Sequence, residues 1–341
     1  MKGEAMQTIT LLAEPPRAIV EGTRVSYGRY RQPFSVPNIR AAGPLGRYRL
    51  KEWHYTSFSS ERLFIAFALV QLGYVANAFC YVVDHTDGSF WEYEALTPLG
   101  RGLRFAPSSV EGASVWRHRR AALNVTWRGG GWDVQLDLDL RGERLSGSLR
   151  VTSGAESLAL VHPLAPDRPA YTHKAAGLSA RAELRWRGET HASDGLAALD
   201  WTRSVALRET RWKWASFAAP LPDGRAVGLN LSADVYVGAS GESRENALWI
   251  DGRVHPLGGV RFELPADPAR EPWRIRGQVP GELDLEFLPL GARAQRVDFK
   301  LIRSDFVQPY GRFRGSVRPP GAEAVSVEGA FGVVEDHVSL W

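Results

Sequence analysis

The sequence predicts a nearly all-β protein of two consecutive antiparallel barrels or half-open sandwiches, with few short helices. Three observations predict it. Turn signals recur between short runs rich in β formers, several of those runs alternate apolar with polar residues, and no long window carries a 3.6-residue period. At 341 residues the chain exceeds the usual size of one domain, which favours two β units over one.

The elements follow in order. An uncharged run from Leu63 to Val83 is long enough to cross a bilayer as a helix. Gln71, Gly73 and Asn77 interrupt it, and β-branched and aromatic residues fill it, so two buried strands are expected, with a membrane helix as the alternative. Asp87-Gly88 then joins Phe79–Val83 to Phe90–Tyr93 as a hairpin. Gly129-Gly130-Gly131 joins Leu123–Trp127 to Trp132–Leu140 in the same way. Within the latter run Val134, Leu136, Leu138 and Leu140 share one face, and Gln135, Asp137 and Asp139 the other. Similar alternation marks Ala182–Trp186, Val227–Val237 and Leu283–Phe287. Asp223-Gly224 and Asp251-Gly252 signal two more hairpins. The polar stretch Gly188–Gly195, with His191, Ser193 and Asp194, is the expected junction, giving halves at 14–190 and 195–341.

Composition narrows the function. A charged share of 23% and a hydrophobic share of 44% describe a chain able to bury a core, and 12 Trp supply rings that suit ligand pockets. The net charge of +4 is too small to argue for nucleic acid. Arg117, His118, Arg119 and Arg120 are the one dense basic cluster, readable as a phosphate contact or as a strand edge. Cys80 stands alone, which excludes an intramolecular disulfide and a thiolate metal cage. After the short apolar stretch Ile9–Ala13 come Glu14, Pro15 and Pro16, so no secretory signal is read and a cytoplasmic location is expected. No Walker loop, nucleophile elbow, His-Glu-x-x-His or dinucleotide fingerprint is present, and no cofactor is expected.

What remains is isolated polar groups among apolar neighbours. Asp200 follows Leu196-Ala197-Ala198-Leu199 and precedes Trp201, with Trp212, Lys213 and Trp214 close behind. Desolvation would raise its pKa and suit it to act as a general acid; the alternative is a structural ion pair with Arg203 or Arg211, or a turn cap. His173, in Tyr171-Thr172-His173-Lys174, reads as a base or orienting group, or as a hydrogen-bonded structural histidine. Trp201, Trp212 and Trp214 are candidate pocket walls. Glu335 and His337 share a strand face, whereas Asp336 beside His337 cannot, and Asp84 beside His85 cannot. Glu245, Asn246 and Trp249 either project into a cavity of the second half or begin a strand before the Asp251-Gly252 turn. No close spacing of His85, His173 and His337 supports a metal.

Seven segments, taken in order, resemble a known family: Lys51-Glu52-Trp53, Tyr171 to Lys174, Leu199-Asp200-Trp201, Trp212-Lys213-Trp214, Gly228-Leu229-Asn230-Leu231, Glu245 to Trp249 and Gly332 to His337. They are similar to the bacterial domain-of-unknown-function family 2804 from about residue 14 onward. More distantly, the stretch from Gly195 through Leu231 resembles the AttH and carotenoid hydratase group and the tocopherol cyclases. That resemblance implies two lipocalin-like (calycin) halves, a hydrophobic small-molecule ligand contacted also by Asn230, and hydration, cyclisation or isomerisation of a terpenoid, polyene or polyketide. A carrier without catalysis is the competing expectation. In the hydratase group the corresponding Asp is usually followed by His or Arg and then Glu, whereas here Trp201 and Thr202 follow Asp200.

Overall fold

The computed structural model describes residues 11–298 and 302–341. Ile9, named above, lies outside the described residues. Among the described residues the one α-helix is a single turn, Gly46–Arg49; the rest of the regular structure is antiparallel strand.

Two large curled sheets, each open along its ladder, make up most of the molecule, beside a separate two-stranded ribbon of Val20–Glu21 and Arg24–Val25. The first runs, in spatial order, through Phe90–Pro98, Val75–Asp84, Leu63–Gln71, Leu50–Ser59, Glu189–Val205, Arg168–Trp186, Glu143–Thr152, Gly131–Leu140, Ala121–Trp127, Ala113–His118 and Leu103–Arg104. Leu158–Ala165 joins the outer part of Arg168–Trp186 and carries the short edge strand Gly28–Tyr30. The second sheet runs Arg253–Pro256, Ala247–Ile250, Ala226–Ala233, Glu209–Pro220, Val325–Leu340, Arg303–Val317, Leu283–Asp298, Trp273–Gly277 and Val260–Glu263. These are the two lipocalin-like half-barrels expected, and all four turn-signalled hairpins are present.

The uncharged run of Leu63 to Val83 forms two paired strands, and no helix of the described residues is long and apolar enough to cross a membrane. Arg117–Arg120 lies at the hairpin between Ala113–His118 and Ala121–Trp127, with Arg119 at the turn in the left-handed region, φ 54°. The stretch expected as the junction, 188–195, opens at the tight turn of the hairpin that pairs Trp186 with Glu189. Both strands of that hairpin belong to the first sheet, and the chain passes to the second between Val205 and Glu209.

Three layers of buried apolar contact result. Each half has its own interior, because each curled sheet turns one face of its strands inward. Ile65, Phe67, Trp116, Leu136, Leu138 and Trp186 pack inside the first half, and Phe217, Leu229, Trp273, Phe287 and Phe313 inside the second. The third layer is the seam, where the outer face of the first sheet packs on the outer face of the second. Phe64, Ala66, Tyr81, Trp214, Phe331 and Val333 form one patch of it, and Leu158, Ala176, Ala198, Ala218, Ala247 and Trp249 another.

Candidate functional site

The strand register decides which candidates meet. Lys174 lies opposite Asp200, and Asp200 opposite Tyr55, so these three side chains share a face. One residue along, His173, Trp201 and His54 line up on the other face. The first row points into the seam and the second into the first half. Asp200 and His173 are therefore on opposite sides of one sheet, and the structure does not bring them together.

At the seam the Lys174 ammonium sits 2.5 Å from Asp200 Oδ2 and 3.4 Å from Glu245 Oε2, and all three side chains are buried. Thr202 donates to Asp200 Oδ1 at 3.0 Å and Thr172 at 3.4 Å, so an ammonium and two hydroxyls converge on one carboxylate. The structural partners expected for Asp200 are engaged elsewhere: Arg203 binds Glu52 at 2.7 Å and Arg211 binds Glu209 at 2.6 Å. Burial works against the charge of Lys174, but Asp200 and Glu245 outweigh it and hold its pKa above the usual lysine value. Burial also raises the pKa of Glu245, against the pull of Lys174. Beyond that 3.4 Å ion-pair contact with Lys174, Glu245 Oε2 has no hydrogen-bond partner.

Aromatic groups frame these charges. Trp214 lies 5.9 Å below the Lys174 ammonium and meets Tyr55 edge-on at 5.1 Å. Its indole nitrogen donates to Asn230 Oδ1 at 2.8 Å, and Asn230 Nδ2 donates to the Glu245 carbonyl at 2.8 Å. Asn230 thereby fixes the segment carrying Glu245. Asn246 does similar work, accepting from the Ser232 amide at 2.7 Å and donating to the Gly258 carbonyl at 2.9 Å. Trp249 reaches across the seam to the Glu156 carbonyl at 2.8 Å. Tyr236 is buried on the loop between Ala233 and Arg244, with φ 51°, a costly backbone for a bulky residue.

A second polar group occupies another part of the seam. Glu335 accepts from Trp212 Nε1 and from Gln308 Nε2, each at 2.7 Å, and Tyr81 donates to Gln308 at 3.2 Å. His337 lies 3.5 Å from Glu335, as their shared face predicts, and bonds Ser304 and Ser339 at 2.8 and 2.9 Å. Trp212 stacks on Trp53 and on Trp341.

Inside the first half, His173 is held between Ser109 and Ser157, 2.8 Å from each. Burial, with lesser contributions from His54 and Lys174, lowers its pKa to about 3, which favours the neutral imidazole at ordinary pH. Trp201 packs against Phe105 and Tyr171 in the same interior. Both lie away from Asp200. Sequence reasoning singled out His173 where Lys174 is the partner. The missed signal was the period of two, which puts Thr172 and Lys174 on one face and Asp200 and Thr202 opposite them.

Two surface grooves lie elsewhere. One of about 210 Å³ is lined by Asp133, Gln135, Ser148, Arg150, Arg181 and Glu183, and one of about 330 Å³ by Glu92, Tyr93, Glu94, Asp139 and Arg141. Neither includes a member of the Lys174 cluster. Among the described residues no group of three or more His, Cys, Asp or Glu side chains is arranged to hold a metal.

The fold has solved counterparts. A Nitrosomonas europaea protein described as a putative AttH superposes with a TM-score of 0.51 at 16% identity, covering 88% of this chain and 98% of that one. CghA in complex with Sch210972 superposes with a TM-score of 0.53 at 16% identity, covering 85% of this chain and 88% of that one. At these identities the likeness is one of fold. None of the curated proteins matches in sequence. The family assignment rests on the sequence model that matches residues 14–341, and by that match the chain belongs to the family of the domain of unknown function DUF2804.

Proposed function

We propose that the chain binds a hydrophobic small molecule at the seam between its two halves and donates a proton to it from Glu245, with Lys174 and Asp200 as the charges that hold Glu245 in place. One observation carries the reading: three ionisable side chains converge in a buried, aromatic-walled layer, and one carboxylate oxygen among them has no hydrogen-bond partner. Burial favours the protonated form of Glu245, which a general acid needs. The acid role expected of Asp200 passes to Glu245, because Lys174 and two threonine hydroxyls already occupy the Asp200 carboxylate. Trp214 and Tyr55 bring ring faces, the negative side of an aromatic quadrupole, to a cation developing on a protonated alkene or carbonyl. Acid-catalysed hydration, cyclisation and isomerisation all begin with that step. The fold shared with CghA, solved with the small molecule Sch210972, supports the ligand class. The buried Tyr236 stands close enough to the cluster for Glu245 and Asp200 to act on its hydroxyl, which burial and those charges push above the usual tyrosine pKa.

The test pairs identification with turnover. Native mass spectrometry of the purified protein identifies the bound molecule, which is then incubated with wild type and Glu245→Gln. Conversion by wild type and a loss of about 10²–10⁴-fold in Glu245→Gln, with binding retained, is the expected result. Binding by both proteins with no conversion by either overturns proton transfer and leaves a carrier. That second reading has an observation of its own, since Lys174 lies within ion-pair range of both carboxylates and partly satisfies the cluster from within.

A further inference from the structure

Beside the Lys174 cluster the seam holds a second concentration of charge, this one positive. Arg29, on the edge strand Gly28–Tyr30, lies opposite Leu160, which lies opposite Thr172 and then Thr202. This row is adjacent to the one formed by Leu158, Lys174 and Asp200, two residues or about 7 Å along the strands. His162 follows two residues after Leu160 on the same face.

Arg29 is 7% exposed, and its Nε has no hydrogen-bond partner. Among the described residues no carboxylate lies within 4 Å of its guanidinium. A buried guanidinium ordinarily has such a partner, because desolvation without one is expensive. Arg244 is tied to the same corner, its amide donating to the carbonyl of Tyr236 at 3.1 Å, and Tyr236 packs with Leu160, the residue opposite Arg29. Burial first, then the charge of Arg244, lower the Arg29 pKa to about 10, with Glu242 opposing them. Arg244 also acts on His162, whose buried Nδ1 lacks a partner. The surface beneath is apolar, made of Leu160, Ala170 and Tyr236.

We propose that Arg29 and Arg244 form an oxyanion site that takes the carboxylate of an amphipathic ligand, whose apolar body lies along the seam toward Lys174 and Asp200. Guanidinium forks match the geometry of carboxylate and phosphate oxygens alike, and the apolar floor adds affinity for a carboxylate borne on hydrocarbon. The placement of the apolar body rests on the function proposed above; the anion site rests on Arg29 and Arg244 alone.

Titrations of dodecanoate and dodecanol, followed by tryptophan fluorescence, test it on wild type, Arg29→Met and Arg29→Lys. Dodecanoate is expected to bind Arg29→Met at least tenfold more weakly than wild type, with Arg29→Lys between them and dodecanol indifferent to the substitution. Equal binding of dodecanoate to wild type and Arg29→Met overturns the anion site and leaves the seam reading intact. If neither amphiphile binds wild type, inorganic phosphate decides. A phosphate-dependent rise in unfolding temperature present in wild type and absent in Arg29→Met upholds the anion site without the seam ligand, and no such rise overturns it. Without ligand, Arg29→Met should unfold at the same temperature as wild type or higher, since it removes an uncompensated buried charge. A lower temperature marks Arg29 as a paired structural charge and also overturns the proposal.

Discussion

Lys51 shows how far burial moves a charge in this protein. Its ammonium donates to the carbonyls of Tyr48 and Leu72 at 2.9 and 3.0 Å and lies over the rings of Tyr74 and Trp341. Burial, assisted by the charge of Arg208, lowers its pKa from 10.5 to about 7. The sign follows from proton counting. Between about pH 7 and 10.5 the unfolded chain holds the proton and the folded chain does not, so stability rises with pH across that window. Urea unfolding of wild type and Lys51→Met at about pH 6.5 and about pH 9.5 should therefore show wild type gaining on the variant at the higher pH. A difference that stays constant contradicts this account. The same scale shows what could be read in advance. Asp200 stood out because an acid among apolar neighbours is conspicuous in one dimension. Lys174 did not, because its significance lies in meeting Asp200 of the neighbouring strand and Glu245 of the turn before Ala247–Ile250. Arg29 was equally silent, since an unpaired arginine is defined by what is missing around it in space.

At the scale of the strand, legibility followed the number of buried faces. In Gly131–Leu140 one face is buried and one is open, and the alternation could be read directly. The strand Arg168–Trp186 behaves that way only in its second part; from Ala170 to Leu178 every residue is buried, because the seam covers the face that would otherwise meet solvent. There the alternation of buried and exposed residues disappears, so the period of two puts Thr172 and Lys174 on one face and His173 on the other without telling which face meets the seam. A β-bulge at Gly177, φ 74°, marks this change, and Gly228 of the second sheet approaches it closely. A Cβ on Gly228 would stand 2.3 Å from the Ala176 carbonyl carbon and 2.5 Å from the Gly177 nitrogen. Gly228→Ala must separate two backbones and should cost about 1–3 kcal/mol. Gly154→Ala, where no atom lies within 4 Å, serves as the control and should be nearly neutral. Equal denaturation midpoints for the two variants would contradict the close approach.

For the whole molecule, the sequence showed two β halves but not how they adhere. The seam is built from apolar side chains of both, among them Tyr81, Trp214, Phe331 and Val333, and it is clasped further out by Arg293, which pairs with Glu92 and lies 3.9 Å over the ring of Phe79. An interface of that character couples the unfolding of the parts it joins. Thermal unfolding followed by far-ultraviolet circular dichroism and by tryptophan fluorescence should give coincident single transitions. Two separated transitions would show that the halves are independent. The hairpin with its tip at Arg187-Gly188 carries a further consequence for the integrity of the chain. A nick at that tip leaves Arg168–Trp186 on one fragment and Glu189–Val205 on the other, so neither piece owns a complete first sheet. The longest ladder among the described residues would then be the adhesive between two fragments, which makes the tip a natural place to split the protein for complementation and a poor place to divide it into modules.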